Sequence, residues 1–265
     1  MRNNRMTIAD LREAKGQRTL SMLYVESEEE AAAAAAAGVD ILSIIAPVWT
    51  PAMRNAAGDC FVQVGLLYGE LVTEEDYLRA AFAARTVGGD AYYCSAALAT
   101  VHRLAAEGLP VVGHVGLVPS KATWTGGFKA VGKTAESALK VWQSMCELEQ
   151  VGAFAVELEV VPARIGAELS RRSSLVTFGM GAGAGTDAQY LFAEDVLGCT
   201  RGHRPRHAKV YRNFRDEYDR LQAERIAAFN EFVADVREGR YPGAEHDVAM
   251  SNTEFTAFLE GMGSD

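Results

Sequence analysis

Two glutamates at alternate positions, Glu157 and Glu159, lie within the apolar run Phe154-Ala-Val-Glu-Leu-Glu-Val-Val-Pro162. Such a run reads as a buried β-strand. Side chains alternate across a strand, so the two carboxylates share one face while Val156, Leu158 and Val160 share the other. Carboxylates buried side by side resist ionising together, so one keeps its proton while the other carries charge. That is the arrangement of an acid–base pair. A structural alternative stands beside it for Glu157, in which its carboxylate meets a lysine or arginine at the closed end of the fold.

The same alternation places Tyr93 with Ser95, and Gln63 with Gly65, on inward faces. Tyr93 could orient a carbonyl or donate a proton, or it could be a core tyrosine with a satisfied hydroxyl. His114 ends an apolar strand, where a histidine serves either proton transfer or a structural hydrogen bond. Ser95 and Gln63 complete a polar pocket as substrate-binding candidates. The glycine-rich stretch Gly179-Met-Gly-Ala-Gly-Ala-Gly185 precedes Thr186-Asp187. If a helix starts there, the backbone N–H groups of Gly181, Ala182 and Gly183 form a cradle for the anionic end of a substrate; tight helix packing is the alternative. Lys129 and Lys133 could help close such a site, or lie in a solvated loop. Gly202-His-Arg-Pro-Arg-His207 suits an anion or an interface.

These residues need a scaffold, and the chain repeats one grammar: a short β-rich run, a polar or glycine-rich loop, then an amphipathic helix. Strands are expected over 19–25, 40–45, 60–66, 90–94, 109–114, 153–160 and 175–179. Helices are expected over 31–37 behind the Ser27 cap, 73–86, 100–107, 134–151, 163–171 and 187–196, and a long charged helix over 212–238. The last carries Tyr218, Leu221, Ile226, Phe229 and Phe232 at helical spacing, a face for the barrel or for a neighbouring subunit. About eight strands with helical crossovers predict an α/β protein, a (β/α)₈ TIM barrel forming a single domain over 1–265 with a C-terminal helical extension. A doubly wound open sheet is the runner-up.

Composition excludes other classes. The 265 residues are about half apolar and carry a net charge of −9, which leaves no basic footprint for nucleic acid and no polybasic patch for a membrane. No apolar run reaches spanning length, and the start lacks a signal-peptide core. Cys60, Cys94, Cys146 and Cys199 are scattered without metal-finger spacing and are expected as free thiols in a reducing cytoplasm.

Several motifs in colinear order carry a resemblance: Thr7-Ile-Ala-Asp-Leu, Gly113-His-Val-Gly-Leu-Val-Pro119, Gly126-Gly-Phe-Lys-Ala-Val-Gly132, Glu159-Val-Val-Pro162, Gly179-Met-Gly-Ala-Gly183 and Tyr241-Pro-Gly-Ala-Glu-His246. Together they resemble the ketopantoate hydroxymethyltransferase family, barrel enzymes related to phosphoenolpyruvate mutase and isocitrate lyase. The resemblance implies an enolate formed next to the carbonyl of a small anionic keto acid held by Mg²⁺, a one-carbon unit from methylenetetrahydrofolate, Glu159 as the base, His114 as the motif histidine, and a homo-oligomer. The family's Gly-Asp-Ser metal motif, however, falls on Ile45-Ala46-Pro47, its second metal aspartate on Gly65, and its Lys-Ile-Glu on Tyr93-Cys94-Ser95. Mg²⁺ needs hard oxygen ligands that alanine and glycine lack. The expectation is therefore a metal-free enzyme with no assigned metal ligand, diverged toward lyase or aldolase chemistry, and using folate only if the parent transfer is kept. A catalytically silent scaffold is the alternative.

Overall fold

The computed structural model describes residues 5–263, which cluster into two compact units divided after Arg212. The first is a closed barrel of eight parallel strands in chain order. These are β1 (Leu20–Tyr24), β2 (Ile41–Ile45), β3 (Phe61–Gly65), β4 (Ala91–Tyr93), β5 (Val111–Gly116), β6 (Ala155–Glu159), β7 (Val176–Met180) and β8 (Ala188–Phe192). Helices α1 (Ile8–Ala14), α2 (Glu28–Ala36), α3 (Pro51–Ala56), α4 (Glu74–Val87), α5 (Leu98–Ala106), α6 (Ala122–Thr125), α7 (Ala135–Gln150), α8 (Ala163–Arg172) and α9 (Ala193–Leu197) precede, connect and follow them. The TIM barrel is thus the architecture, and the open sheet is excluded by pairing of β1 with both β2 and β8.

Local chemistry explains the helix starts. Ser27 Oγ accepts the N–H of Glu30 to begin α2, and Thr73 with Asp76 forms a reciprocal capping box at α4. One expected helix is a strand. Residues 188–192, read as the start of a helix over 187–196, form β8, and only the short α9 follows. Pairing on both edges, with Phe178↔Ala188 on one side and Leu20↔Ala188 through Tyr24↔Phe192 on the other, outweighs the helical look of the Ala, Glu and Asp that follow.

Strand alternation sorts the interior by height. The outward set, including Val62, Val64, Val156 and Leu158, packs in the layer toward the helices. The inward set begins at the N-terminal end with an apolar floor that includes Leu20, Ile41, Phe61, Val112 and Val176. Two residues further along the strands it becomes polar, with Ser43, Gln63 and Glu157 all buried. The barrel therefore stands on a dry floor and presents its chemistry toward the C-terminal ends, where barrel sites form.

The second unit, residues 213–265, contains α10 (Phe214–Arg237) and α11 (Asn252–Met262). On α10 the apolar residues Tyr218, Leu221, Ile226, Phe229 and Phe232 are all exposed. No helix among the described residues is long and apolar enough to cross a membrane. All four cysteines are free thiols.

Candidate active site

β6 points both glutamates into the barrel, and its register on β5 sets His114 opposite Glu157 and Gly116 opposite Glu159. Both carboxylates are buried, and neither has a lysine or arginine partner among the described residues. The structural alternative for Glu157 is thereby removed. Its Oε1 instead accepts from Gln63 Nε2 at 2.7 Å, and its Oε2 lies 3.8 Å from His114 Nδ1.

Burial in this setting pushes the Glu157 carboxyl up to about 7, against the pull of His114 and the Gln63 hydrogen bond and with added repulsion from Glu159. A proton therefore comes and goes on Glu157 near neutrality. Gln63 Nε2 also donates to Ser43 Oγ at 3.1 Å, while Gln63 Oε1 has no partner. Half a turn of the amide would offer that oxygen to a protonated Glu157, so the amide can serve either charge state.

Tyr93 and His114 form the second half of the site. Tyr93 Oη lies 2.7 Å from His114 Nδ1. Burial, and then the Glu157 charge, raise the Tyr93 hydroxyl above its ordinary range, so it stays protonated and has a proton to donate. Where Oη donates, Nδ1 accepts and a neutral His114 carries its ring proton on Nε2, so the direction of this bond and the choice of tautomer are one question. The His114 side chain is only 2% exposed, and Nε2 lies 3.1 Å from Glu159 Oε2. The contact is out of line for a hydrogen bond, and Nε2 is left without one. A buried N–H without a partner, beside a carboxylate, is a donor waiting for an acceptor.

The backbone holds Glu159 in place. Val160, the next residue, has φ of 47°, a left-handed conformation that costs a β-branched residue about 1–3 kcal/mol. It is pinned on both sides, with its N–H donating to Met180 O at 2.7 Å and its carbonyl accepting from Val131 N at 3.0 Å. Glu159 O accepts from Leu117 N, and Gly116 passes so close that a Cβ there would lie 2.2 Å from that carbonyl.

Glu157, Glu159, His114, Tyr93 and Ser95 line one cavity of about 540 Å³. Gln63 lies behind Glu157, fully buried. Gly181, Ala182 and Gly183 do not line it. Their loop joins β7 to β8, so no helix N-terminus stands behind it, and a Cβ at Gly183 would sit 2.4 Å from the Cβ of Ala163. Gly183 thus packs closely on α8 and Gly181 against the His207 ring, a Cβ there lying 2.8 Å from His207 Nδ1, and the helix start that the expected anion cradle requires is absent. Lys133 lines a different hollow, and Lys129 is exposed. Sequence reasoning missed Ser43, Tyr190, Tyr24 and Phe192 on the inward faces of β1, β2 and β8, together with Glu26, Glu30 and Glu194 at the mouth. Inward parity on β1 and β2 was the available signal; β8 gave none while it was read as helix.

The three positions where Mg²⁺ ligands are expected carry Ala46, Gly65 and Ser95. Among the described residues no group of three His, Cys, Asp or Glu side chains is placed to hold a metal. The donor set does not fit Mg²⁺, and a folate's acidic tail meets no lysine or arginine among the described residues of the cavity wall.

The family model for ketopantoate hydroxymethyltransferase matches residues 49–244. A 3-methyl-2-oxobutanoate hydroxymethyltransferase from Thermus thermophilus is 36% identical, over 91% of this chain and 99% of that protein. One from Enterococcus faecalis is 37% identical over 54% of this chain and 50% of its own length. Among solved structures, phosphonopyruvate hydrolase in complex with oxalate and Mg²⁺ superposes with a TM-score of 0.51 at 11% identity, covering 97% of this chain and 96% of that one. It shares the fold.

Proposed function

The chain belongs to the ketopantoate hydroxymethyltransferase family, and on that footing we propose that it is an enzyme that makes or breaks a carbon–carbon bond through an enolate, without a metal. The observation that carries this reading is the buried, unpartnered Nε2 of His114 beside Glu159 in an open cavity.

Glu159 takes the proton from the carbon next to a substrate carbonyl. The C–H electron pair moves into a carbon–carbon double bond, and the carbonyl oxygen becomes an enolate oxygen. His114 Nε2–H and the Ser95 hydroxyl donate to that oxygen, replacing the positive charge the family obtains from its metal. Such preorganised donors are worth about 10²–10³-fold each in related chemistry. Tyr93 positions His114, and Glu157 sets the charge beneath it. The enolate carbon then attacks an electrophilic carbon, or in the reverse sense is released by bond cleavage.

The test is C–H exchange in D₂O, followed by NMR, with α-ketoisovalerate and with neutral and amine-bearing ketones, with and without chelator. Exchange that is insensitive to chelator and abolished in Glu159→Gln supports the reading. Exchange that requires a divalent metal, or none across the whole set, overturns it, the latter in favour of a silent scaffold.

A further inference from the structure

The wall of the cavity bears on which substrate it admits, and this inference rests on the enolising reading of the same site. No lysine or arginine lines the cavity among the described residues, whereas Glu26, Glu30 and Glu194 join Glu157 and Glu159 on it. Glu26 follows β1, Glu30 lies in the first turn of α2 and Glu194 opens α9. None of these three has an ion-pair partner among the described residues. They feel one another: burial and the charges of Asp195, Glu26 and Glu30 all raise the Glu194 carboxyl. Lys121 and Lys140 line an adjoining hollow that shares only Ser95 and His114 with this one.

An anionic end would therefore enter a field of its own sign. The aromatic lining points the same way. Tyr24 and Phe192 are register partners on β1 and β8 with ring centroids 4.7 Å apart, and Tyr190 continues the wall 6.0 Å from Phe192. Tyr24 Oη donates to Glu26 Oε1 at 2.8 Å, which ties the ring to the acidic rim. Electron-rich ring faces next to carboxylates attract organic cations, through the ring quadrupole and through charge. Independently, His114 Nε2 is buried without a hydrogen-bond partner, and in the tautomer that protonates it an acceptor oxygen on whatever occupies the same space would complete it.

We propose that the cavity selects a small carbonyl compound bearing an organic ammonium group. Its carbonyl oxygen faces His114 Nε2, and its ammonium group lies against the Tyr24–Phe192–Tyr190 wall and the Glu26, Glu30 and Glu194 carboxylates. An inorganic cation would feel the same field, but the described side chains provide no ligand cluster for it.

Three probes separate charge from shape: choline, its neutral isostere 3,3-dimethyl-1-butanol, and isobutyrate. Binding to the full-length protein is measured by saturation-transfer NMR and calorimetry at fixed ionic strength. Choline is expected to bind saturably, the neutral isostere about tenfold more weakly, and isobutyrate not at all. Glu194→Gln and Phe192→Leu, each checked for an unchanged thermal midpoint, should each weaken choline several-fold. Equal binding of choline and its isostere, preference for isobutyrate, displacement of choline by equimolar Mg²⁺, or no binding by any probe would overturn the proposal. Choline has no C–H next to a carbonyl, so this result is independent of whether the site enolises anything.

Discussion

Tyr93 Oη and His114 Nδ1 stand 2.7 Å apart, and the direction of this bond determines which nitrogen of a neutral imidazole carries the proton. With the tyrosine hydroxyl held protonated by burial, its donation to Nδ1 places the proton of a neutral ring on Nε2 beside Glu159. Tyr93→Phe removes that constraint while keeping the ring. Its expected effect is a fall in exchange rate of about 10–100-fold, with little change in substrate affinity. ¹⁵N NMR of His114 should show the tautomer preference lost; a variant with full rate and an unchanged tautomer would detach Tyr93 from the mechanism.

Glu157 should be visible in the pH dependence of stability. Its carboxyl titrates at about 7 in the folded protein against 4.5 as the ordinary value. The folded state therefore holds a proton that the unfolded chain has released over this interval. Stability attributable to Glu157 is greatest below pH about 4.5, declines as pH rises, and levels off above pH about 7, a total on the order of 3 kcal/mol. Glu157→Gln has no proton to lose, so its denaturant midpoint, compared with that of the parent, should lack this slope. Parallel pH curves for the two proteins would contradict the assignment. The groups facing Glu157, namely Glu159, His114, Tyr93 and Tyr190, are common to both and cancel in the comparison to first order.

Gly116 is the backbone constraint most easily tested. A Cβ there would lie 2.2 Å from Glu159 O, in a residue whose φ is +89°. Gly116→Ala must move β5 from β6 or distort the turn, and should cost about 1–3 kcal/mol. The displaced Glu159 should lose exchange activity more than this stability loss explains at a temperature where the variant is folded. A variant with parental midpoint and rate would show that the turn yields freely.

Ala46, Gly65 and Ser95 can be given carboxylates. A Cβ at Gly65 meets Ile45 Cγ2 at 3.5 Å, an ordinary contact, so an aspartate enters without a clash at its first atom. The parent protein should show no rise in thermal midpoint with Mg²⁺. The triple variant Ala46→Asp, Gly65→Asp, Ser95→Glu should gain one that increases with the logarithm of Mg²⁺ concentration. A Mg²⁺-dependent midpoint in the parent would mean that ligands come from elsewhere.

Much of this was legible in the sequence, because parity is local information. Knowing that residues 154–160 form a strand in a barrel is enough to turn Glu157 and Glu159 inward, and the same rule placed Tyr93 and Ser95. What escaped depends on closure. β8 is five residues long and runs into α9 without a turn, so its residues look like part of one helix until β1 is seen to need a partner on its other edge. Reading 187–196 as helix puts a helix start behind the glycine loop, and the anion cradle expected there depends on that helix. It also concealed Tyr190 and Phe192. The acidic rim was hidden for another reason: Glu26, Glu30 and Glu194 come from three elements, and nothing in their spacing links the first two to the third.

The layering of the barrel interior also bears on how such proteins change over time. Truncating a floor residue such as Phe61 to alanine would cost about 3–5 kcal/mol, much of a domain's margin. Gly65 stands two layers above Phe61 on the same strand, and Ala46 begins the turn that follows β2. Durability and reactivity are thus inherited separately, at different heights of one strand. Substitutions at the rim can therefore change what such a barrel binds while the foundations beneath go untouched.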